Sequence, residues 1–103
     1  PVQVQIIPIA DRHIEYAEDI QHQLQSESVR VLIDSRSERM NSKIREAQIN
    51  KIPYMLIVGD REIEAETVGV RLRSGEDLGP VSISKLIDRI KDEVASKYID
   101  SKT

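Results

Sequence analysis

The chain has 103 residues, of which 39% are apolar and 32% charged, and its formal net charge is −3. This length suffices for one domain with a single core, and no apolar stretch approaches the roughly 18 residues of a membrane-spanning helix. Because the sequence contains no cysteine, disulfides, thiolate catalysis and cysteine-rich zinc sites are excluded. We expect a soluble, cytoplasmic protein without a signal or transit segment. The chain starts at Pro1 with strand-like alternation, so we expect a piece of a longer protein.

The first half of the sequence predicts alternating strands and helices. VQVQII alternates and stops at Pro8, and VRVLID alternates in the same way. Between them, HIEYAEDIQHQLQ carries the apolar stripe of an amphipathic helix. A second helix follows SRSE, which matches a capping box with Ser35 or Ser37 as N-cap and Glu38 behind it. The apolar run PYMLIV predicts a strand buried on both faces, so the order of elements indicates a right-handed parallel α/β unit.

The second half of the sequence predicts a hairpin and a closing helix. REIEAE and TVGVRLR both alternate and follow one another directly, and a tight turn would pair Glu62 with Arg71 across the two strands. SGEDLGP predicts a loop. SISKLIDRIKDEVASKY carries an apolar stripe and predicts the last helix. We expect the domain to cover residues 1–98 and residues 99–103 to form a C-terminal tail.

Cations concentrate in the middle of the chain. Residues 30–51 hold six Lys and Arg against three Asp and Glu, whereas the segments on either side are acidic. The carboxyl ends of parallel strands form the usual binding edge of such a sheet, and this basic segment borders it. Four of its side chains could contact phosphates near a helix N-terminus: Arg36, Arg39, Lys43 and Arg45. A solvated helix face with ion pairs to Glu38 and Glu46 would produce the same pattern.

Outside the basic segment, two sets of polar side chains could carry a function. The predicted pair of Glu62 and Arg71 is either a surface salt bridge, which stabilises little, or a carboxylate and a guanidinium oriented to bind unpaired bases. His13 follows a strand end without a cysteine or an activated serine, and we expect it to cap a helix at the surface. His22 lies on a polar helix face. With two histidines nine residues apart and no glycine-rich phosphate loop, we expect no metal or nucleotide site.

The strings KIREA, IPYMLIVGDRE and VRLRSGEDLG resemble the C-terminal anticodon-binding domain of threonyl-tRNA synthetases, which are class IIa aminoacyl-tRNA synthetases. The similarity runs from PVQVQIIPIADRH to about Tyr98 and separates the chain from the prolyl, histidyl and glycyl relatives with the same fold. It implies a three-layer α/β/α fold in which a five-stranded mixed sheet has one antiparallel strand. This agrees with the order of strands and helices predicted above.

The resemblance also implies the ligand, which is the anticodon loop of threonine tRNA. Base contacts in similar proteins fall at four positions of this sequence: Ser37, Arg39, Glu62 and Arg71. Glu62 and Arg71 match the usual residue types, whereas Ser37 stands in place of Asn and Arg39 in place of Lys. A serine hydroxyl is shorter than the Asn amide and cannot bind a base edge through two planar hydrogen bonds.

For the parent protein, the resemblance implies ATP-dependent attachment of threonine to its tRNA by a catalytic domain upstream of this chain. That domain would hold ATP, Mg²⁺ and Zn²⁺ and would join two subunits into a homodimer. The present domain is expected to bind no cofactor, metal, DNA or membrane and to carry no catalytic residue.

Two other functions fit the same predicted fold. The domain could be an RNA- or protein-interaction module in a regulatory protein that is not a synthetase, in which case class II catalytic motifs would be missing upstream of Pro1. A flavodoxin-like enzyme or receiver domain would need an acidic cluster at the strand ends. Asp11 and Asp34 with their flanking arginines would make a poor magnesium site.

Overall fold

The computed structural model describes residues 2–35 and 39–102, and the side chains of these residues except 40, 41 and 93–102. Within these residues, five strands and four α-helices follow one another. The strands are β1 (Val4–Pro8), β2 (Val31–Ile33), β3 (Tyr54–Val58), β4 (Thr67–Leu72) and β5 (Asp77–Ser82). The helices are α1 (Ile14–Gln25), which follows a 3₁₀ turn at Asp11–His13, α2 (Met40–Ile49), α3 (Asp60–Ala65) and α4 (Ile83–Lys102).

The strands form one mixed sheet in the order β2-β1-β3-β4-β5. β1 pairs in parallel with β2 and β3, whereas β4 is antiparallel to both β3 and β5. Parallel neighbours need crossover connections, which α1 and α2 supply. Within this sheet β4 is therefore reversed relative to the other strands, and the predicted five-stranded mixed sheet with one antiparallel strand is confirmed.

Helices pack on both faces of the sheet, because successive strand residues point to opposite sides. On one face, buried side chains of α1 and α4 pack against those of β1, β3 and β4. On the other face, Ile44 and Ala47 of α2 pack against Ile7 and Met55. The three-layer α/β/α architecture predicted for the chain is confirmed.

The predicted hairpin between REIEAE and TVGVRLR is wrong. Residues 60–65 form α3, and Glu66 ends this helix with a left-handed φ of 56° before β4 begins. Alternation over six residues does not distinguish a short helix from a strand, and Glu and Ala favour helices. The hairpin partner of β4 is instead β5, which begins at Asp77 inside the segment predicted to be a loop.

The start of α2 also differs from the prediction. The helix begins one residue after Arg39, an extended N-cap residue whose side chain forms no capping hydrogen bond. A capping box at Ser35 is therefore wrong, while Ser37 and Glu38 lie outside the described residues. The residue types of a capping box favour a helix start but do not fix it, because tertiary context can override such local preferences.

α4 starts where Ser82 accepts a hydrogen bond from the backbone N–H of Lys85 at 3.3 Å. It spans 20 residues and extends past residue 98. The division into a domain of residues 1–98 and a tail of residues 99–103 stays a prediction. None of the described helices combines the length and the apolar character needed to cross a membrane.

Candidate nucleic-acid interface

Half of one sheet face lacks a helix within the described part of the chain. The strand register places Gly69 opposite Ile57, with Arg71 two residues further along, so these residues share the face on which α2 packs. α2 lies over β1 and β3, whereas α4 packs on β5 from the opposite side. Asp77 and Pro80 of β5 are exposed next to them. We call the surface formed by Ile57, Gly69, Arg71, Asp77 and Pro80 the open shelf.

Among the described residues, Arg71 forms a long ion pair with Asp77. Its Nη2 lies 3.4 Å from Oδ2 of Asp77, and the two side chains are 33% and 57% exposed. The Nε of Arg71 is buried and has no hydrogen-bond partner in the described part of the chain. A guanidinium has five N–H donors, and an ion pair with an exposed carboxylate stabilises little. Arg71 can therefore exchange Asp77 for acceptors on a ligand.

Glu62 and Arg71 do not form the predicted cross-strand pair. Glu62 lies in α3, beyond the last residue of β3, whereas Arg71 is paired with Met55 near the start of β3. The backbone positions of Met55 and Gly59 are separated by roughly 13 Å along an extended chain. Glu62 and Arg71 therefore lie near opposite ends of β3 and not beside each other.

The Glu62 carboxylate folds back over Gly59. A Cβ at Gly59 would lie 3.2 Å from Oε1 of Glu62 and 2.5 Å from Cδ1 of Ile9. Gly59 precedes α3 with a φ of −145°, which any residue can adopt. The missing side chain at Gly59 therefore leaves the space that Glu62 and Ile9 occupy.

Tyr16 connects α1 to both α3 and β4. Its hydroxyl donates to the carbonyl of Thr67 at 2.9 Å and lies 3.3 Å from the carbonyl of Glu62. Burial of the phenol, followed by the nearby charges of Glu66 and Glu62, raises the pKa of Tyr16. The hydroxyl therefore keeps its proton and remains a donor at neutral pH.

Three polar side chains meet at the carboxyl ends of β1 and β3. Asp60 accepts hydrogen bonds from Nε and Nη2 of Arg12 at 3.2 and 2.7 Å, and its Oδ1 lies 2.7 Å from Nε2 of His13. The backbone N–H of Ala10 donates to Nδ1 of His13, so Nε2 carries the proton and donates to Asp60. The hydrogen bonds from Arg12 and His13 hold the pKa of Asp60 well below its usual value, and Asp60 raises the pKa of Arg12.

Sequence reasoning missed this cluster. His13 is 2% exposed, so its predicted surface position is wrong, although its ring does cap the turn at Ala10. The sequence does carry a signal for it. Arg12 and His13 follow β1, and Asp60 follows β3, which is a parallel neighbour of β1 in the sheet. Among the described residues, no group of three His, Asp and Glu side chains is placed to hold a metal ion.

The basic segment has exposed and buried members. Arg39 and Arg45 are exposed, whereas Lys43 is 5% exposed and donates from Nζ to the carbonyl of Asp34 at 3.1 Å. The predicted phosphate contacts Arg39 and Lys43 are therefore not both on the exposed surface. Two other predicted contacts lie outside the described residues: Arg36 and Ser37.

The sequence matches one protein family and individual proteins of known name. The family described as "Anticodon binding domain" matches residues 3–93 of the chain. A threonine–tRNA ligase of Caldanaerobacter subterraneus is 50% identical over 99 residues, which cover 96% of this chain and 15% of that protein. The chain thus spans a small part of the length of this relative.

Comparison with solved structures gives the same kind of domain. The RNA binding domain of threonyl-tRNA synthetase from Cryptosporidium parvum matches with a TM-score of 0.82 and 26% identity, over 89% of this chain and 23% of that one. Histidyl-tRNA synthetase from Nostoc matches with a TM-score of 0.83 and 21% identity, over 91% of this chain and 23% of that one. The second likeness shows a shared fold alone.

Proposed function

The chain belongs to the anticodon-binding domain family, and from this membership we propose that it binds the anticodon loop of threonine tRNA as a domain of a threonine–tRNA ligase. The observation that carries the proposal is the 50% identity to such a ligase over 96% of the chain. Fold similarity does not select the amino acid, because threonyl- and histidyl-tRNA synthetases match about equally well. The alternative, an interaction module in a regulatory protein, draws no support from these relatives.

The side chains at the open shelf and on α3 have the chemistry that unpaired bases need. Base edges carry oxygen and nitrogen acceptors for a guanidinium and N–H donors for a carboxylate. We propose that Arg71 donates to base acceptors and that Glu62 accepts from a base N–H. Gly69 has no side chain and Ile57 is half-buried, which leaves space over the sheet for a flat ring. The second and third anticodon bases, G and U, offer both kinds of group.

The basic segment supplies further contacts in this proposal. Arg39 precedes the first turn of α2, whose free N–H groups favour anions. We propose base contacts for Arg39 and Ser37 and phosphate contacts for Arg36 and Arg45. Lys43 was also predicted to contact phosphate, but its burial supports a role in holding the basic segment against the domain.

Aminoacylation itself is proposed to belong to the rest of the parent protein. ATP, Mg²⁺ and Zn²⁺ would bind there, and the subunits would form a homodimer there. We further propose that the parent protein works in the cytoplasm and that this domain binds neither DNA nor membranes. The domain alone should show no catalytic activity.

The proposal is tested in the full-length protein with threonine tRNA and with transcripts changed at the second or third anticodon base. The matched variants are Arg71→Ala, on the open shelf, and Arg73→Ala, an exposed residue after β4. Arg71→Ala should cost roughly 1–3 kcal/mol of recognition and reduce the cognate preference. Arg73→Ala removes the same charge but should weaken all transcripts alike. A wild-type protein that binds all transcripts equally would contradict the proposed function.

A further inference from the structure

α3 carries the half-buried Glu62, and none of its side chains is fully buried. A helix of six residues is too short to be stable alone, so tertiary contacts must hold it. Its apolar residue Ile63 is 36% exposed, so apolar packing anchors α3 only in part. The position of the Glu62 carboxylate therefore depends also on polar contacts from other parts of the chain.

The first of these contacts holds Asp60, the residue at which α3 begins. His13 is buried, and its two ring nitrogens connect the backbone of Ala10 with Oδ1 of Asp60. Both sides of this imidazole are thus occupied, which fixes its orientation. Arg12 adds two hydrogen bonds to the same carboxylate, but it is 68% exposed, so its ion pair contributes less.

The second contact holds the middle and the end of α3. The Tyr16 hydroxyl lies between the carbonyls of Glu62 and Thr67, and Thr67 is the first residue of β4. The Tyr16 ring is half-buried and packs against the core, which restrains its hydroxyl. Both contacts come from residues 12–16. Together they restrain the segment from Asp60, the first residue of α3, to Thr67, the first residue of β4.

We propose that His13 and Tyr16, assisted by Arg12, are positioning residues that orient α3 and thereby set the Glu62 carboxylate for base recognition. This inference rests on the proposed function, because the Glu62 carboxylate can contribute to recognition only if the domain binds an anticodon base. Hydrogen bonds to a base require well-placed atoms, and supporting residues must hold them. None of the three residues belongs to the open shelf or to the basic segment, so we attribute their effect on specificity to the position of Glu62.

The test uses the full-length protein and variants that spare the core. Tyr16→Phe removes the hydroxyl and keeps the ring. Asp60→Ala removes the acceptor for His13, and Asp60→Asn retains an oxygen that can accept from it. Glu27→Gln serves as the control, because it weakens an ion pair with Lys91 of α4 at the far end of α1.

Two measurements are made on each variant. The first is the ratio of affinities for threonine tRNA and for a transcript changed at its third anticodon base. The second is hydrogen exchange of the amides of residues 60–66. We expect Tyr16→Phe and Asp60→Ala to speed this exchange and to lower the ratio by about threefold to tenfold, the effect of one hydrogen bond. Asp60→Asn should recover part of the ratio, and Glu27→Gln should change neither measurement.

A double variant separates positioning from general stability. In a Glu62→Ala background, Tyr16→Phe should lower the ratio no further, because both changes act on one group. A further loss in that background would overturn the inference, as would an unchanged ratio in Tyr16→Phe and Asp60→Ala while Glu62→Ala lowers it. Neither result would affect the proposed function. If even the wild type fails to discriminate, the proposed function itself is wrong and the inference falls with it.

Discussion

Arg71 and Asp77 face each other across β4 and β5, with 3.4 Å between Nη2 and Oδ2. The other oxygen of Asp77 accepts the backbone N–H of Gly79 at 2.8 Å, and Gly79 has a left-handed φ of 72°. Asp77 thus shapes the start of β5 with one oxygen and restrains Arg71 weakly with the other. The guanidinium is oriented on the open shelf without being held there firmly.

Substitutions of Asp77 should separate these two contacts. Asp77→Asn keeps an acceptor for Gly79 and weakens only the exposed ion pair, so we expect it to cost less than about 1 kcal/mol of unfolding free energy. Asp77→Ala removes both contacts and should cost about 1 kcal/mol more. Urea unfolding of the two variants measures the difference. If Asp77→Asn cost several kcal/mol, Arg71 would be a structural residue, unavailable to a ligand.

Gly59→Ala should separate recognition from stability. The added methyl group would meet Cδ1 of Ile9 at 2.5 Å and Oε1 of Glu62 at 3.2 Å. Ile9 is 58% exposed and can turn aside, so we expect a loss of less than about 1 kcal/mol in unfolding free energy. The Glu62 carboxylate must also move, and discrimination between anticodons should fall toward that of Glu62→Ala. A stable variant with full discrimination would show that the Glu62 position near Gly59 is irrelevant to recognition.

Lys43 and Arg45 should behave differently although both belong to the basic segment. Lys43→Ala removes a buried stem and a charged hydrogen bond to the carbonyl of Asp34, so we expect it to cost about 2 kcal/mol of stability. Arg45→Ala removes an exposed charge and should change stability by less than about 0.5 kcal/mol while weakening RNA binding. Thermal unfolding and RNA titration on both variants test this. Equal stability with equally weakened binding would make Lys43 a phosphate contact after all.

The lowered pKa of Asp60 predicts a loss of stability in acid. The folded protein binds this proton less readily than the unfolded chain does, so the contribution of Asp60 is fully present above the usual value of 3.8 and is lost as the pH falls further. Below that pH, the unfolding free energy of Asp60→Asn should depend less steeply on pH than that of the wild type, by at most about one bound proton. Urea titrations at several acidic pH values measure both slopes. Identical slopes would mean that the bonds from Arg12 and His13 do not persist in solution.

Part of the candidate site could be predicted from the sequence and part could not. The resemblance carried by VRLRSGEDLG predicted a base contact for Arg71. In the structure this residue lies on a part of the sheet that no described helix covers. The pairing of Arg71 with Glu62 was wrong because REIEAE forms α3, and its six residues alternate in a way that suits either a strand or a short helix. The roles of Ser37 and Arg36 stay predictions, since both lie outside the described residues.

The sequence by itself determined the parallel half of the sheet and the family. Alternation in β1 and the apolar run of β3 predict strands from local side-chain pattern, although all five residues of β1, Gln5 included, are buried. Only the tertiary structure decided where His13 and Lys43 point. Their partners are Asp60 and the carbonyl of Asp34, which lie 47 and 9 residues away along the chain. Local periodicity carries no information about such contacts, because they form only when the strands and helices pack together.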